Sequence, residues 1–151
     1  MTPEEQLDRF IARFTPEIAA LAVAALAKMR ERFPVALQLV YDNYNALAIG
    51  FGPSERASDA IFSIALYPKR VSLCFLQGGK SKLKDPHHLL QGSGSTNRFI
   101  PLESAEVLDT PHVQALMAQA LAAAKVPLEP SGGGRLVIKS VSAKQRPRRP
   151  G

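Results

Sequence analysis

Apolar positions in the first third of the chain repeat with helical spacing. Leu7, Phe10, Ile11 and Phe14 fall at i, i+3, i+4 and i+7 and share one helical face. Thr2, Pro3 and Glu5 stand ahead of them as N-cap, first helical residue and third helical residue, a capping box. Thr15-Pro16-Glu17 repeats the start signal. Ile18, Leu21, Ala22, Ala25, Met29 and Phe33 then continue the period as far as Pro34. The pattern predicts two consecutive helices, or one kinked at Pro16.

The period then changes. Residues 36–41, 46–51, 60–66 and 71–76 are short runs rich in strand-forming residues, and 98–102 is a fifth. Short polar turns separate the first four, and short connections favour antiparallel hairpins. Asp85-Pro86 predicts a short helix over 86–91 ended by Gly92. Thr110-Pro111 starts a last helix over 111–125, with Val113, Leu116, Met117, Ala120 and Leu121 on one face and Pro127 as the stop. The expected fold is α+β: an antiparallel sheet of five strands with the N- and C-terminal helices packed on one face. Residues 130–134, PSGGG, read as a flexible link. Residues 135–141 have strand composition and would add a sixth, edge strand. Residues 142–151 lack an apolar pattern and are expected to be disordered. The domain is therefore drawn at 1–129, with 130–151 as an appended basic segment, and the body is expected to stay folded without it.

Composition adds four things. The 151 residues suffice for one domain with its own core. Cys74 is the only cysteine, which excludes an internal disulfide, and its apolar run suggests a buried, inert thiol. The apolar stretch 17–27 is too short to span a bilayer and follows Glu4, Glu5 and Asp8, unlike a signal peptide. The expectation is a cytoplasmic protein without membrane contact. The net charge is +6, yet thirteen of the nineteen basic residues balance all thirteen acids within 1–130. The excess belongs to Arg135, Lys139, Lys144, Arg146, Arg148 and Arg149. Such a segment suits weak, sequence-independent contact with a polyanion such as nucleic acid.

The stretches YDNYNALAIGFGP (41–53), SDAIFSIALYPKRVSLCF (58–75), LKDPHHLLQGSG (83–94) and RFIPLESAEVLD (98–109) resemble the YdhG-like domain family. Its members are small bacterial proteins, mostly of unknown function, and the resemblance covers roughly residues 3–125. One branch of that family has been described as a frataxin-like iron chaperone with a helix–sheet–helix layout. The resemblance thus implies iron as a possible cargo. Hard cations prefer oxygen ligands, and Glu4, Glu5 and Asp8 are the close acidic group that would supply them. The same acids are what helix capping and the macrodipole favour in a first turn.

Other candidate chemistry is sparse. Gly79-Lys80-Ser81 ends like a phosphate-binding loop, but Cys74 stands where its first glycine belongs. His87 and His88 are adjacent, so on a helix they point about 100° apart and cannot share an ion, and His112 is distant in sequence. The loop 92–97, GSGSTN, reads as a helix stop with backbone amides open to a small anion. Tyr41, Asp42, Tyr44 and Arg98 flank strand ends, where pockets form, and are the candidates for binding a ligand or anion. No nucleophile stands beside a base, so no catalytic residue is assigned. The sequence thus points to a non-catalytic binding or carrier protein, with an iron chaperone and a weak nucleic-acid accessory protein as alternatives.

Overall fold

The N-terminal caps form as their residue types require. The computed structural model describes residues 1–79 and 82–151. Helix α1 runs Pro3–Ala12. The Thr2 hydroxyl accepts from the Glu5 amide at 3.1 Å, and the Glu5 carboxylate accepts from the Thr2 amide at 3.0 Å. Helix α2, Pro16–Arg32, starts at Thr15, whose hydroxyl accepts from the Ile18 amide. The chain therefore makes two helices, separated at Arg13–Thr15. Their apolar faces bury Leu7, Ile11, Phe14, Ile18, Ala22, Ala25 and Met29.

Five strands follow: β1 Leu37–Asp42, β2 Leu47–Gly52, β3 Phe62–Tyr67, β4 Arg70–Phe75 and β5 Arg98–Leu102. Each pairs antiparallel with the next. Helix α3, Pro111–Ala123, then carries the chain back across the molecule, and β6, Leu136–Val141, adds to the far edge parallel to β1. The strand order is β5-β4-β3-β2-β1-β6. The fold is α+β as expected, with 135–141 supplying the sixth, edge strand, but its parallel pairing makes the sheet mixed. A long crossover containing a helix permits the parallel pairing that a short turn forbids. Gly134 allows the approach to β1: it sits at φ 67°, and a Cβ there would lie 2.5 Å from the Pro34 carbonyl oxygen.

Two further expectations need correction. Residues 86–91 form no helix. The Asp85 carboxylate accepts the amides of Leu89 and Leu90 at 2.9 Å each, and His88 takes φ 52°. The aspartate closes its own turn in place of a helical one. Residues 142–151 do not hang free. They lie across the β1–β2 turn and the end of α1, for reasons given below.

Strand alternation sorts the sheet into two unlike faces. Val40, Ile49, Ile64, Leu73 and Ile100 stand in register on one face, buried against α2, α3 and the 3₁₀ turn Ala105–Asp109. Phe33 of the α2 end stacks on Phe62 at 5.2 Å, and Phe62 meets Phe75 edge-on at 5.7 Å. Each such side chain contributes ~1.5–3 kcal/mol by leaving water. Asp109 clamps the layers, taking Lys28 at 2.6 Å and Arg32 at 2.9 Å from α2. The other face carries mostly small residues. Among the described residues, no helix is long and apolar enough to cross a membrane.

Candidate functional site

Leu47 pairs with Leu66, so the β1–β2 turn and the β3–β4 turn emerge at the same edge of the sheet. Because β6 runs parallel to β1, its end arrives there too. The chain then folds under the β1–β2 turn. The Ser142 amide donates to the Asp42 carbonyl at 2.8 Å, and the Arg146 amide to the Tyr44 carbonyl at 2.9 Å. Gln145 donates to the Asp42 carbonyl at 3.0 Å and accepts from Arg13 at 2.6 Å.

Arg148 anchors this segment. Its Nη2 donates to Asp42 Oδ1 at 2.9 Å and to the Asn43 carbonyl at 2.6 Å. The two side chains are 2% and 1% exposed, and the Phe14 ring lies 5.6 Å from the guanidinium carbon. Arg13 adds a looser contact with Asp42 at 3.7 Å. Arg149 donates to the Arg13 and Ala12 carbonyls. These are orphan acceptors at the negative end of α1, where a cation is favoured.

Between the docked segment and the β3–β4 turn lies an open cleft of about 630 Å³, lined by Asn45, Tyr67, Pro68, Arg146 and Arg149 among others. Lys69 and Arg70 continue the turn beside it. Among the described residues, no ion pair joins Lys69, Arg70, Lys144 or Arg146 to a carboxylate. Asp42, the acid built into this edge, is buried and already paired with Arg148. The cleft therefore presents positive charge, and its lining residues include no aspartate or glutamate side chain.

The sequence candidates fare unevenly. Asp42 is a structural partner of Arg148. Tyr44 is exposed at the turn. Tyr41 points to the opposite face of β1, where its hydroxyl is buried without a hydrogen-bond partner among the described residues. Burial raises that phenol above its ordinary value. Arg98 lies at the other edge of the sheet and donates to the Gly94 and Asn97 carbonyls, fastening the 92–97 loop. The four do not form one site. Of the six tail cations, Arg135 and Lys139 pair with Glu55 at 3.2 and 3.8 Å, Arg148 is buried, and Arg149 holds α1. Lys144 and Arg146 stay open.

The three N-terminal acids are similarly occupied. Glu4 pairs with Arg30 at 3.3 Å, and Glu5 completes the cap, which lowers its carboxyl through the bond from the Thr2 amide. Asp8 is exposed. Among the described residues, no group of three or more histidine, cysteine or acidic side chains could hold a metal ion. His87 and His112, far apart in sequence, stack with ring centroids 3.7 Å apart. Rings that face one another do not aim their nitrogens at one ion. Lys80 and Ser81, the end of the phosphate-loop candidate, lie outside the described residues. Cys74 is partly buried, and burial pushes its thiol up against the opposing effects of the Ser63 hydrogen bond and the Arg70 charge. A thiol shifted that way is a poor nucleophile.

Sequence reasoning missed Asn45, Tyr67, Lys69 and Arg70. The signal present was Tyr-Pro-Lys-Arg between two apolar runs, a turn carrying two adjacent cations and no acid. The chain matches no protein-family model, and it matches no curated protein and no solved structure at the significance required. The YdhG-like resemblance thus rests on the sequence stretches alone.

Proposed function

We propose that this chain is a non-catalytic binding protein that takes an anionic ligand at the cleft between its docked C-terminal segment and the β3–β4 turn. One observation carries the reading. Arg146 lines the cleft and Lys69 and Arg70 adjoin it, without an acid partner among the described residues, while the nearby Asp42 is withdrawn into a buried pair. Cations placed around a concavity without counter-charges raise the local concentration of anions.

The test is fluorescence anisotropy with labelled heparin and labelled polyphosphate as probes. The full chain is expected to bind both at low salt, and Lys69→Gln/Arg146→Gln is expected to weaken binding by about tenfold or more, at roughly 1 kcal/mol for each charge-assisted contact. Binding that ignores this double change would place the anion elsewhere and overturn the reading.

A further inference from the structure

The sheet face opposite the helices adjoins the cleft at Tyr67 and Pro68. Over β2, β3 and β4 its positions are Ala48, Gly50, Ser63, Ala65, Ser72 and Cys74, all small. Larger side chains stand around this floor. Across β1 to β5, register places one charged residue on the face, Arg70, and no acid. Ala60 lies over Gly52, where an added Cβ would come within 2.8 Å of the Ala60 Cα. On the half-face toward β4 and β5 the outer side chains are open: Arg70 is exposed and Cys74, Phe99 and Pro101 are partly so, while Ser63, Ala65 and Ser72 beneath them are buried.

Arg70 stands between two aromatic rings. Its guanidinium carbon is 4.4 Å from the Tyr67 ring centroid and 5.3 Å from that of Phe99. Among the described residues it has no ion pair and no side-chain hydrogen bond. Cation–π contact fixes the plane of a guanidinium while leaving its donors free. Below it on the same face is Ser72, 1% exposed, whose Oγ also has no partner. The face thus offers two partly exposed rings and one oriented cation, with no acid placed on it by the strand register.

We propose that this open half-face binds single-stranded nucleic acid, with bases stacked on Tyr67, Arg70 and Phe99 and phosphates held by Lys69 and Arg146. The proposal rests on the anionic-ligand reading above and names the ligand class of that site. Charge complementarity selects the occupant: a polyanion fits a face with cations and no carboxylates. The rings select among polyanions, because bases have flat faces and polyphosphate or heparin have none. A duplex keeps its base faces stacked inside, so the single strand is the form that fits. Stacking is tolerant of sequence, so weak base preference is expected.

The experiment compares three probes of equal length, about 12 nucleotides. They are oligothymidine, an abasic oligonucleotide of the same charge, and a duplex, each read by anisotropy with the full chain. Oligothymidine is expected to bind about tenfold tighter than the abasic strand. Tyr67→Leu and Phe99→Leu keep an apolar side chain and are each expected to remove most of that preference, with thermal melting unchanged. Arg70→Gln is a second route to the same loss that spares both rings. Equal binding of the normal and abasic strands would overturn this proposal while leaving the anionic-ligand reading intact. Tighter binding of the duplex would do the same. No binding of any strand, or of heparin, would sink both. Self-association in sedimentation that Phe99→Leu abolishes would assign the face to a second copy of the chain and overturn the proposal.

Discussion

At the scale of single residues, Arg148 and Asp42 decide how the end of the chain is placed. Both are nearly inaccessible, and their bond is a single one: Arg148 Nε and Nη1 and Asp42 Oδ2 have no hydrogen-bond partner. Desolvating two charges is expensive, and incomplete pairing leaves part of that cost unrecovered. The pair is therefore weak evidence for stability and strong evidence for placement. Removing one partner is another matter, since it strands a buried charge. Arg148→Ala is expected to destabilise the fold by ~3–5 kcal/mol. Asp42→Asn/Arg148→Met removes both charges and should recover most of that loss. Urea unfolding of the wild type, both single variants and the double variant measures it. A cost below about 1 kcal/mol for Arg148→Ala would mean that the segment is not docked in solution. Nothing in the sequence around Arg148 announces this role. Local pattern reading sees arginines among prolines, and the partner lies 106 residues away.

At the scale of elements, periodicity served where the partner surface is local. Capping residues and apolar spacing located α1, α2, α3 and the hairpin strands, because each is decided within one or two turns of chain. The error at 86–91 came from ignoring that Asp85 can bond amides on its own side of the turn. β6 was legible as strand-forming composition, but its partner and direction were not, because pairing depends on a crossover of more than thirty residues. The consequence concerns truncation. The sequence suggests that residues 1–130 fold alone. The structure gives the opposite expectation. Deleting 131–151 unpairs the whole length of β1 on one side and strands Asp42. The loss from Asp42 alone, ~3–5 kcal/mol, corresponds to a melting drop of about 10 °C or more for a domain of this size. Circular dichroism of the 1–130 fragment tests it, and a drop under about 3 °C would show that β6 contributes little.

At the scale of the whole molecule, charge is the property that sequence and structure describe most differently. By count the excess of six lies beyond residue 130, so binding of a polyanion would belong to a basic tail. In the fold, that tail spends most of its charge internally. Arg135 and Lys139 meet Glu55, Arg148 meets Asp42, and Arg149 meets the end of α1. Beside the cleft, the cations without an ion pair among the described residues are Arg146 from the tail and Lys69 and Arg70 from the body. With Lys69 and Arg146 on phosphates and Arg70 against a base, two phosphate contacts on a single strand predict a slope of log K against log salt of about −1.4. A disordered tail with all six cations free would give about −4 instead, and every unit of it would vanish with the tail. The substitution that separates these pictures lies in the body: Lys69→Gln/Arg70→Gln should flatten the slope by about 0.7, the share of Lys69, although neither residue is in the basic segment. Anisotropy across a salt series on the full chain and this double variant, with oligothymidine as probe, measures both numbers. An unchanged slope in the variant would return the charge to the tail and remove the folded edge from the binding site.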